Sequence, residues 1–463
     1  MAVDDVLFVT GQLARPSLEE TLAALAPAAP GAPSPPAGHY RVAALRIKVA
    51  ALMTTDYLRN TLRPEPVARI VLPGLCQADT AALAAHFGMP VVKGPKDLRD
   101  LPEFLGGEAQ AYDPQGPHDL TILAEINDVS SLPERDVLAL AERHRRDGAD
   151  IIDLGCSPER PHPDLGRLVR RLVAEGHRVS IDTFDEREAL AGDDGGAELL
   201  LSLDGRNLHL AGRLNAVPVV LPDPGKGIPS LVRNVAAARE QGAKRVVADA
   251  ILEPIPFGFA ASLVRFAEAR AALPDTDLLM GVGNLSELTE ADSTGVNALL
   301  CGFMSEVGIR YALTTEVAGW ARGSVRELDC GRRLMHHAKT RQRLAKGFDH
   351  RLVTTRDPRV RRPREEELRA LQSRVTDRNF RIDTDGEAIY IYNSERFVRT
   401  TDVRSVFPSL GVEDDASHAF YLGRELMKAD IARRLGKKYI QGEPLDWGYL
   451  SWTEEEEPHA RRA

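Results

Sequence analysis

The stretch TILAEINDVSSLPERDVLALAERHRRDGADIIDLG, residues 121–155, contains one complete copy of the strand–helix pattern from which the fold is predicted. A short apolar run, TILAEI (121–126), is followed by a helical pattern and then by a second apolar run, DIIDLG (150–155). Apolar runs this continuous are typical of strands that are buried on both faces, as in parallel sheets. The stretch therefore predicts a strand, a helix and a second strand parallel to the first.

The same pattern recurs throughout residues 118–345. The apolar runs of this segment are TILAEI (121–126), DIIDLG (150–155), RVSID (178–182), LLLSLD (199–204), VPVVL (217–221), RVVAD (245–249), LLMGVG (278–283) and YALTTE (311–316). Eight strand–helix units in about 225 residues match a (β/α)₈ barrel. We therefore predict an α/β protein whose central part, 118–345, is a TIM barrel.

The segment before the barrel predicts a small α/β, Rossmann-like domain over residues 1–112. Its apolar runs VLFVTG (6–11), RIVLPGL (69–75) and MPVVKGP (89–95) end in Gly or Pro, or just past one, and helical patterns lie between them. The Pro- and Ala-rich stretch at 26–38 predicts a flexible loop.

The segment after the barrel, residues 360–463, predicts an α+β domain. The stretch NFRIDTDGEAIYIYN (379–393) is typical of a hairpin that turns at Asp385–Gly386. A helix is predicted over residues 417–436, and the acidic tail that follows is predicted to be disordered.

Composition narrows the classes of function. The chain has 463 residues, a formal net charge of −9 and four scattered cysteines without a CxxC pair. The acidic balance argues against a nucleic-acid-binding surface, and the cysteines indicate reduced thiols rather than a disulfide framework. The N-terminus lacks a basic signal region, and no apolar run is long enough to span a membrane. We expect a cytoplasmic protein that binds neither nucleic acid nor membrane, and the sequence leaves a homodimer open.

Polar residues close almost every predicted barrel strand, at the face where TIM barrels carry their sites. They are Glu125, Asn127, Asp128, Asp153, Asp182, Thr183, Ser202, Asp204, Asp249, Asn284, Ser286, Thr314, Thr315 and Glu316. This set is rich in Asp and Asn and poor in His and Cys, so no metal is predicted. Carboxylates and amides suit a flat heterocycle that has both amide and amidine edges, although any one of these residues could instead cap a loop.

At these positions the sequence resembles the pterin-binding superfamily, which comprises dihydropteroate synthases and methyltetrahydrofolate–corrinoid methyltransferases. DGADIIDLGCSPERP (147–161), EIND (125–128), VSIDTF (179–184), VADAILEP (247–254) and GVGNLSE (281–287) are similar to motifs of its barrel strands. The resemblance implies a reduced pterin, of the tetrahydromethanopterin or folate type, as substrate or cofactor.

The resemblance also assigns roles to individual residues. It implies that Asp182 and Asn284 are catalytic and that Arg160 binds an oxyanion or the second substrate. Arg322, in the stretch GWARGS (319–324) that could bind a phosphate, is a further candidate for this role. The residues that would hold the pterin are Asn127, Asp182, Ser202, Asp204, Asp249 and Asn284.

Two positions depart from the synthase pattern. The synthases carry a lysine just after the seventh strand, where this chain has Leu285. They also carry an Arg-x-His pair on the eighth strand, which here reads TTEV (314–317). The three-part architecture, with GPKDLRDLPEFLG (94–106) before the barrel and DASHAFYLGRELMKADIARRLGKKY (415–439) after it, resembles archaeal-type dihydropteroate synthase-related proteins.

Three functions therefore compete. The first is a transferase of tetrahydromethanopterin biosynthesis that joins a pterin-6-methyl diphosphate to an arylamine. The second is methyl transfer from a methyl-tetrahydropterin to a corrinoid or another acceptor in one-carbon metabolism; since this chain has no DxHxxG motif, a partner protein would carry the corrinoid. The third is a non-catalytic pterin-binding scaffold.

Overall fold

Parallel strands form the two larger sheets of the described chain. The computed structural model describes residues 5–24, 40–95, 98–105 and 112–451. The chain divides into two compact units, Met1–Ala111 and Tyr112–Ala463. The predicted loop at 26–38 and the predicted disordered tail lie outside the described residues. The division into three domains stays a prediction.

The first unit contains a parallel sheet with the strand order β2-β1-β3-β4. Its elements are β1 (Val6–Gly11), α1 (Arg15–Ala24), β2 (Tyr40–Leu45), α2 (Thr55–Thr61), β3 (Arg69–Leu72), α3 (Thr80–Phe87), β4 (Val91–Lys93) and α4 (Leu101–Phe104). The three apolar runs predicted in this unit form β1, β3 and β4. Strand β2 is not among the strands predicted from the sequence. It is an edge strand that is only partly buried, and its short apolar run, VAAL (42–45), includes two alanines, which favour helix over strand.

The second unit begins with a closed barrel of eight parallel strands, which confirms the predicted fold class. Its elements are β5 (Thr121–Ile126), α5 (Glu134–Asp147), β6 (Ile151–Gly155), α6 (Leu165–Ala174), β7 (Val179–Asp182), α7 (Glu186–Gly195), β8 (Leu199–Leu203), β9 (Val217–Val220), α8 (Gly227–Glu240), β10 (Val247–Asp249), α9 (Phe259–Ala272), β11 (Asp277–Gly281), α10 (Gly283–Ser286), α11 (Ser293–Val307), β12 (Tyr311–Thr314) and α12 (Ser324–Thr340). Strand β12 pairs with β5 and closes the barrel. Between β8 and β9 a 3-10 turn at Leu208–Leu210 replaces the helix.

The barrel strands are apolar on both faces because each face packs against a different core. Side chains that point to the barrel axis form one cluster, which consists of Leu123, Ile151, Leu199, Leu201, Val219, Val247, Leu279 and Tyr311. The alternate side chains, such as Ile122 and Ile152, pack outward against the helices. This arrangement explains why the runs show no polar alternation.

The rest of the second unit is an antiparallel sheet with helices. Its elements are α13 (Glu365–Gln372), β13 (Arg381–Thr384), β14 (Ile389–Tyr392), β15 (Phe397–Thr400), α14 (Val403–Val406) and α15 (Ala416–Leu435). Strands β13 and β14 form the predicted hairpin. Asp415 caps α15 by accepting a hydrogen bond from the backbone N–H of His418, and Gly436 ends the helix in the left-handed conformation.

Within the described ranges, none of the helices combines the length and the apolar character that a membrane span requires.

Candidate functional site

Four carboxylates line the mouth of the barrel, where the strands end. Because side chains two positions apart share a face of a strand, the residues two positions after the interior apolar side chains also point inward. On β5, β6 and β10 these residues are Glu125, Asp153 and Asp249. On β7 the carboxylate is Asp182, two positions after the buried Ser180.

The four carboxylates share one electrostatic environment. Burial is the main cause of the raised pKa of each group, and it brings the pKa of Glu125 and of Asp249 to about 7. The negative charge of Asp182 raises the pKa of the other three carboxyls further. The mouth therefore favours ligands that donate N–H groups to carboxylates.

Two of the carboxylates accept hydrogen bonds from serine hydroxyls on the neighbouring strand. The Oγ of Ser202 donates to Oδ1 of Asp182 over 3.2 Å. The Oγ of Ser180 donates to Oδ1 of Asp153 over 2.5 Å. The other oxygen of Asp153 is buried and has no hydrogen-bond partner among the residues that the structure describes. A buried acceptor without a partner is costly unless it is protonated or a ligand supplies a donor.

Gly155 makes room for Glu125 at the mouth. A Cβ atom at residue 155 would lie only 2.5 Å from Oε1 of Glu125. In the register of the sheet Glu125 lies opposite Asp153, two positions before this glycine. The glycine therefore lets the Glu125 side chain cross the neighbouring strand above Asp153.

Asn284 lies over the ends of β10 and β11. Its Nδ2 donates to the backbone oxygen of Leu252 over 2.9 Å. The same nitrogen lies 3.7 Å from where a Cβ atom of Gly281, the last residue of β11, would be. Asn284 thus lies at the end of β11, beside the segment that follows Asp249.

The other residues proposed from the sequence lie in the loops around the carboxylates. Asn127 is exposed after β5. The carboxylate of Asp204 is engaged by Arg206, whose Nη2 donates to Oδ2 over 2.7 Å. Arg160 and Arg322 are exposed in the loops that follow β6 and β12. Every role proposed from the sequence stays a prediction: catalysis by Asp182 and Asn284, oxyanion binding by the two arginines, and pterin binding by Asn127, Asp182, Ser202, Asp204, Asp249 and Asn284.

Exposed apolar side chains lie in several loops at the same end of the barrel as the carboxylates, and together they are called the apolar rim. They belong to the loops after β7, β10, β11 and β12 and are Phe184, Ile255, Phe257, Leu288, Val317 and Trp320. Apolar side chains that gather on a solvent-facing rim mark a place where a ligand or partner is bound.

Glu125 and Asp153 are polar residues at predicted strand ends, but none of the sequence motifs gives either residue a binding or catalytic role. The signal that could have found them is the spacing of two from the interior apolar residues Leu123 and Ile151. Among the described residues no group of three or more His, Cys, Asp and Glu side chains is placed to hold a metal ion.

These features define the class of the protein: an α/β protein with a (β/α)₈ barrel whose candidate site is a carboxylate-lined mouth at the carboxyl ends of the strands. The chain belongs to the same family as the uncharacterized protein MJ0107 of Methanocaldococcus jannaschii. The two are 30% identical over 367 residues, which cover 70% of this chain and 69% of that protein. Residues 4–96 match a family described as a family of unknown function, DUF6513.

Solved structures similar to the chain include dihydropteroate synthases. The enzyme from Thermus thermophilus in complex with 6HMPPP is 23% identical, with a TM-score of 0.36, and the match covers 47% of this chain and 92% of that one. The enzyme from Anaplasma phagocytophilum with bound 6-hydroxymethylpterin-monophosphate is 15% identical, with a TM-score of 0.37, and the match covers 48% and 99% of the two chains.

Proposed function

We propose that this protein is a transferase that binds a reduced pterin in the barrel mouth and joins a pterin-6-methyl diphosphate to an arylamine. This is a dihydropteroate-synthase-like step of the kind that tetrahydromethanopterin biosynthesis requires. The observation that carries the proposal is the convergence of Asp182 and Asp249 on one mouth, with Asn284 at its border.

The chemistry of the pterin ring matches these acceptors. The 2-amino-pyrimidinone edge presents several N–H donors, and a carboxylate can accept two of them at once. No salt bridge within the described residues joins Asp182 or Asp249 to a cation, so both carboxylates are available to a ligand.

The exposed loops carry side chains that could bind the departing diphosphate and the arylamine. Arg160 and Arg322 would stabilise the charge of the departing diphosphate, because guanidinium groups bind phosphate oxygens in a bidentate manner. The apolar rim, with Phe184, Phe257 and Trp320, would hold the ring of the arylamine. Catalysis would then rest mainly on positioning and charge stabilisation.

Methyl transfer from a methyl-tetrahydropterin is the second candidate, and the motif GVGNLSE (281–287), which resembles the methyltransferase pattern, favours it. The loop after β12 and the start of α10 lack the synthase groups. Where the synthases carry Arg-x-His, the Glu316 carboxylate accepts hydrogen bonds from the backbone N–H groups of Gly323 and Val325, each over 3.1 Å. Leu285, at the position of the synthase lysine, is buried in the outer core. Under this alternative a corrinoid-carrying partner would dock at the rim. A non-catalytic pterin-binding scaffold is the third candidate.

Two parallel assays with the full chain test the proposal. The first supplies 6-hydroxymethyl-7,8-dihydropterin diphosphate with 4-aminobenzoate and measures diphosphate release together with the coupled product. The second supplies a methyl-tetrahydropterin with cob(I)alamin and measures methylcobalamin. Turnover in the first assay supports the condensation, and turnover only in the second replaces it with methyl transfer. Pterin binding without turnover in either assay points to the scaffold.

A further inference from the structure

We infer that Glu125 is the proton-transfer residue of this site: it exchanges the proton that the reaction releases or consumes, whereas Asp182 and Asp249 hold the pterin ring. The inference rests on the proposed function, since it assumes that the pterin occupies the barrel mouth. None of the sequence motifs assigned a role to Glu125.

The position of Glu125 supports this role. Its side chain points into the barrel and extends over Gly155, where a Cβ atom would lie 2.5 Å from Oε1. Asp153 and Asp182 each accept a hydrogen bond from a serine. No hydrogen bond joins the Glu125 carboxyl to another described residue, so it is free to face a bound ligand.

The charged neighbours of Glu125 among the described residues are carboxylates. Asp153 lies opposite it on β6, Asp182 follows on β7, and Glu287 lies in the segment after β11. The Glu287 carboxylate accepts hydrogen bonds from the backbone N–H groups of Val317 and Ala318, with N···O distances of 3.0 and 2.7 Å.

The surroundings of Glu125 bring the pKa of its carboxyl close to neutral pH. Burial, followed by the charges of Asp182 and Glu287, raises the pKa of Glu125 to about 7. Both protonation states are therefore populated near neutral pH, which is where a general acid or base works best.

The proton balance of the condensation requires such a group. The arylamine nitrogen attacks the 6-methylene carbon of the pterin, and a C–N bond forms. The C–O bond to the diphosphate breaks, and its electron pair leaves with the diphosphate. The nitrogen, now positively charged, loses one proton, which the Glu125 carboxylate accepts and later passes to water.

Methyl transfer would use the same group in the opposite direction. The Glu125 carboxylic acid would donate its proton to N5 of the pterin. A nucleophilic acceptor supplied by the partner, such as a reduced corrinoid, would then form a bond to the methyl carbon with its own electron pair, while the N5–CH₃ bond breaks and its electron pair stays on nitrogen. The two reactions therefore predict opposite pH profiles. A base requires the ionised carboxylate and loses rate below about pH 7, whereas an acid requires the protonated form and loses rate above it.

The test compares the full-length wild type with Glu125→Gln, which keeps the size of the side chain but cannot titrate. Glu268→Gln, on the exposed face of α9, is the matched control. Single-turnover rates are measured from pH 5.5 to 8.5 in the assay that shows turnover, and pterin affinity is measured by calorimetry. We expect Glu125→Gln to keep pterin affinity within about threefold and to lose about 100-fold in rate. Asp249 also has a pKa of about 7, so we expect the inflection near pH 7 to be lost in Glu125→Gln but kept in Asp249→Asn.

An unchanged rate and an unchanged inflection in Glu125→Gln would overturn the proton role, even if pterin binding is intact. If the wild type does not bind pterin, the proposed function is rejected instead. If the wild type binds pterin but turns nothing over, calorimetry near pH 7 in buffers of different ionisation enthalpy counts the protons exchanged on binding. A count that changes in Glu125→Gln supports the inference, and an identical count overturns it.

Discussion

Among single residues, a buried carboxyl in the barrel mouth keeps its proton at pH values at which the same group in the unfolded chain is ionised. Asp249 has a pKa of about 7 in the folded protein, mainly because it is buried, against 3.8 for an ordinary aspartate. Between these values the folded state holds a proton that the unfolded chain has lost. Stability therefore falls as pH rises from about 4 to 7 and stays at the lower level above pH 7.

Asp249→Asn should stabilise the ligand-free protein at high pH. Asparagine carries no charge to bury, and its Oδ1 can still accept the hydrogen bond that the backbone N–H of Ile251 donates over 2.7 Å. We expect a gain of about 1–3 kcal/mol at pH 8 and no gain at pH 4, measured as the shift of thermal unfolding at the two pH values. An equal shift at both would show that the aspartate titrates normally.

Gly155→Ala tests whether the glycine makes room for Glu125. The added methyl group would collide with the Glu125 carboxyl, which can move because it is the far end of a flexible side chain. The protein should therefore fold, with Tm within about 3 °C of the wild type, while the rate falls as it does in Glu125→Gln. Wild-type turnover in Gly155→Ala would show that the position of Glu125 is unimportant.

At the scale of elements, a 3-10 turn near the C-terminus is bound to the barrel. Tyr449, in the turn Gly448–Leu450, donates its hydroxyl to the carboxylate of Glu327 on α12. This buried carboxylate also accepts hydrogen bonds from Ser293, Thr294 and Asn297 at 2.7–2.8 Å. The tyrosine ring packs against Gly323, which has a φ of +96° and no room for a Cβ atom.

Tyr449→Phe should destabilise the second unit by about 1–2 kcal/mol, because it removes one donor from a buried carboxylate. Tyr57→Phe is the control, since the Tyr57 hydroxyl is buried and has no hydrogen-bond partner in the described chain. Chemical unfolding that detects each unit separately measures both effects. A Tyr449→Phe protein as stable as the wild type would show that the turn is not anchored through this bond.

The sequence predicted elements better than contacts. Each of the eight apolar runs overlaps a barrel strand, and the ends differ by a few residues, as between the run 245–249 and the strand Val247–Asp249. Periodicity alone carries that information. The bond from Tyr449 to Glu327 joins residues 122 positions apart, so no local pattern could reveal it. The hydrogen bond from Arg206 to Asp204 also could not be predicted from the sequence, because either side chain could have pointed into the barrel mouth instead.

At the scale of the whole molecule, the candidate site depends on one of the two units. All the proposed site residues and both barrel cores lie after residue 112. The first unit has cores of its own and a cavity of about 180 Å³ at the carboxyl ends of its strands, lined by Thr10, Gly74 and Gly94 among others.

A chain that starts at residue 112 should therefore fold and bind a reduced pterin. We expect its affinity to lie within about threefold of the full chain, because no carboxylate of the mouth is lost. A folded 112–463 fragment that fails to bind pterin would show that the first unit contributes to the site.

Calorimetric titration of the full chain and of Asp182→Ala shows whether the barrel mouth holds a reduced pterin through its carboxylates. Reduced folate and reduced methanopterin are the ligands, and Glu268→Ala is the control for an exposed carboxylate. We expect Asp182→Ala to weaken pterin binding by about 1–3 kcal/mol, because the pterin N–H donors are left buried and unpaired, and we expect Glu268→Ala to bind pterin like the wild type. Equal pterin affinity in Asp182→Ala and the wild type would contradict the pterin site and both reactions proposed for it.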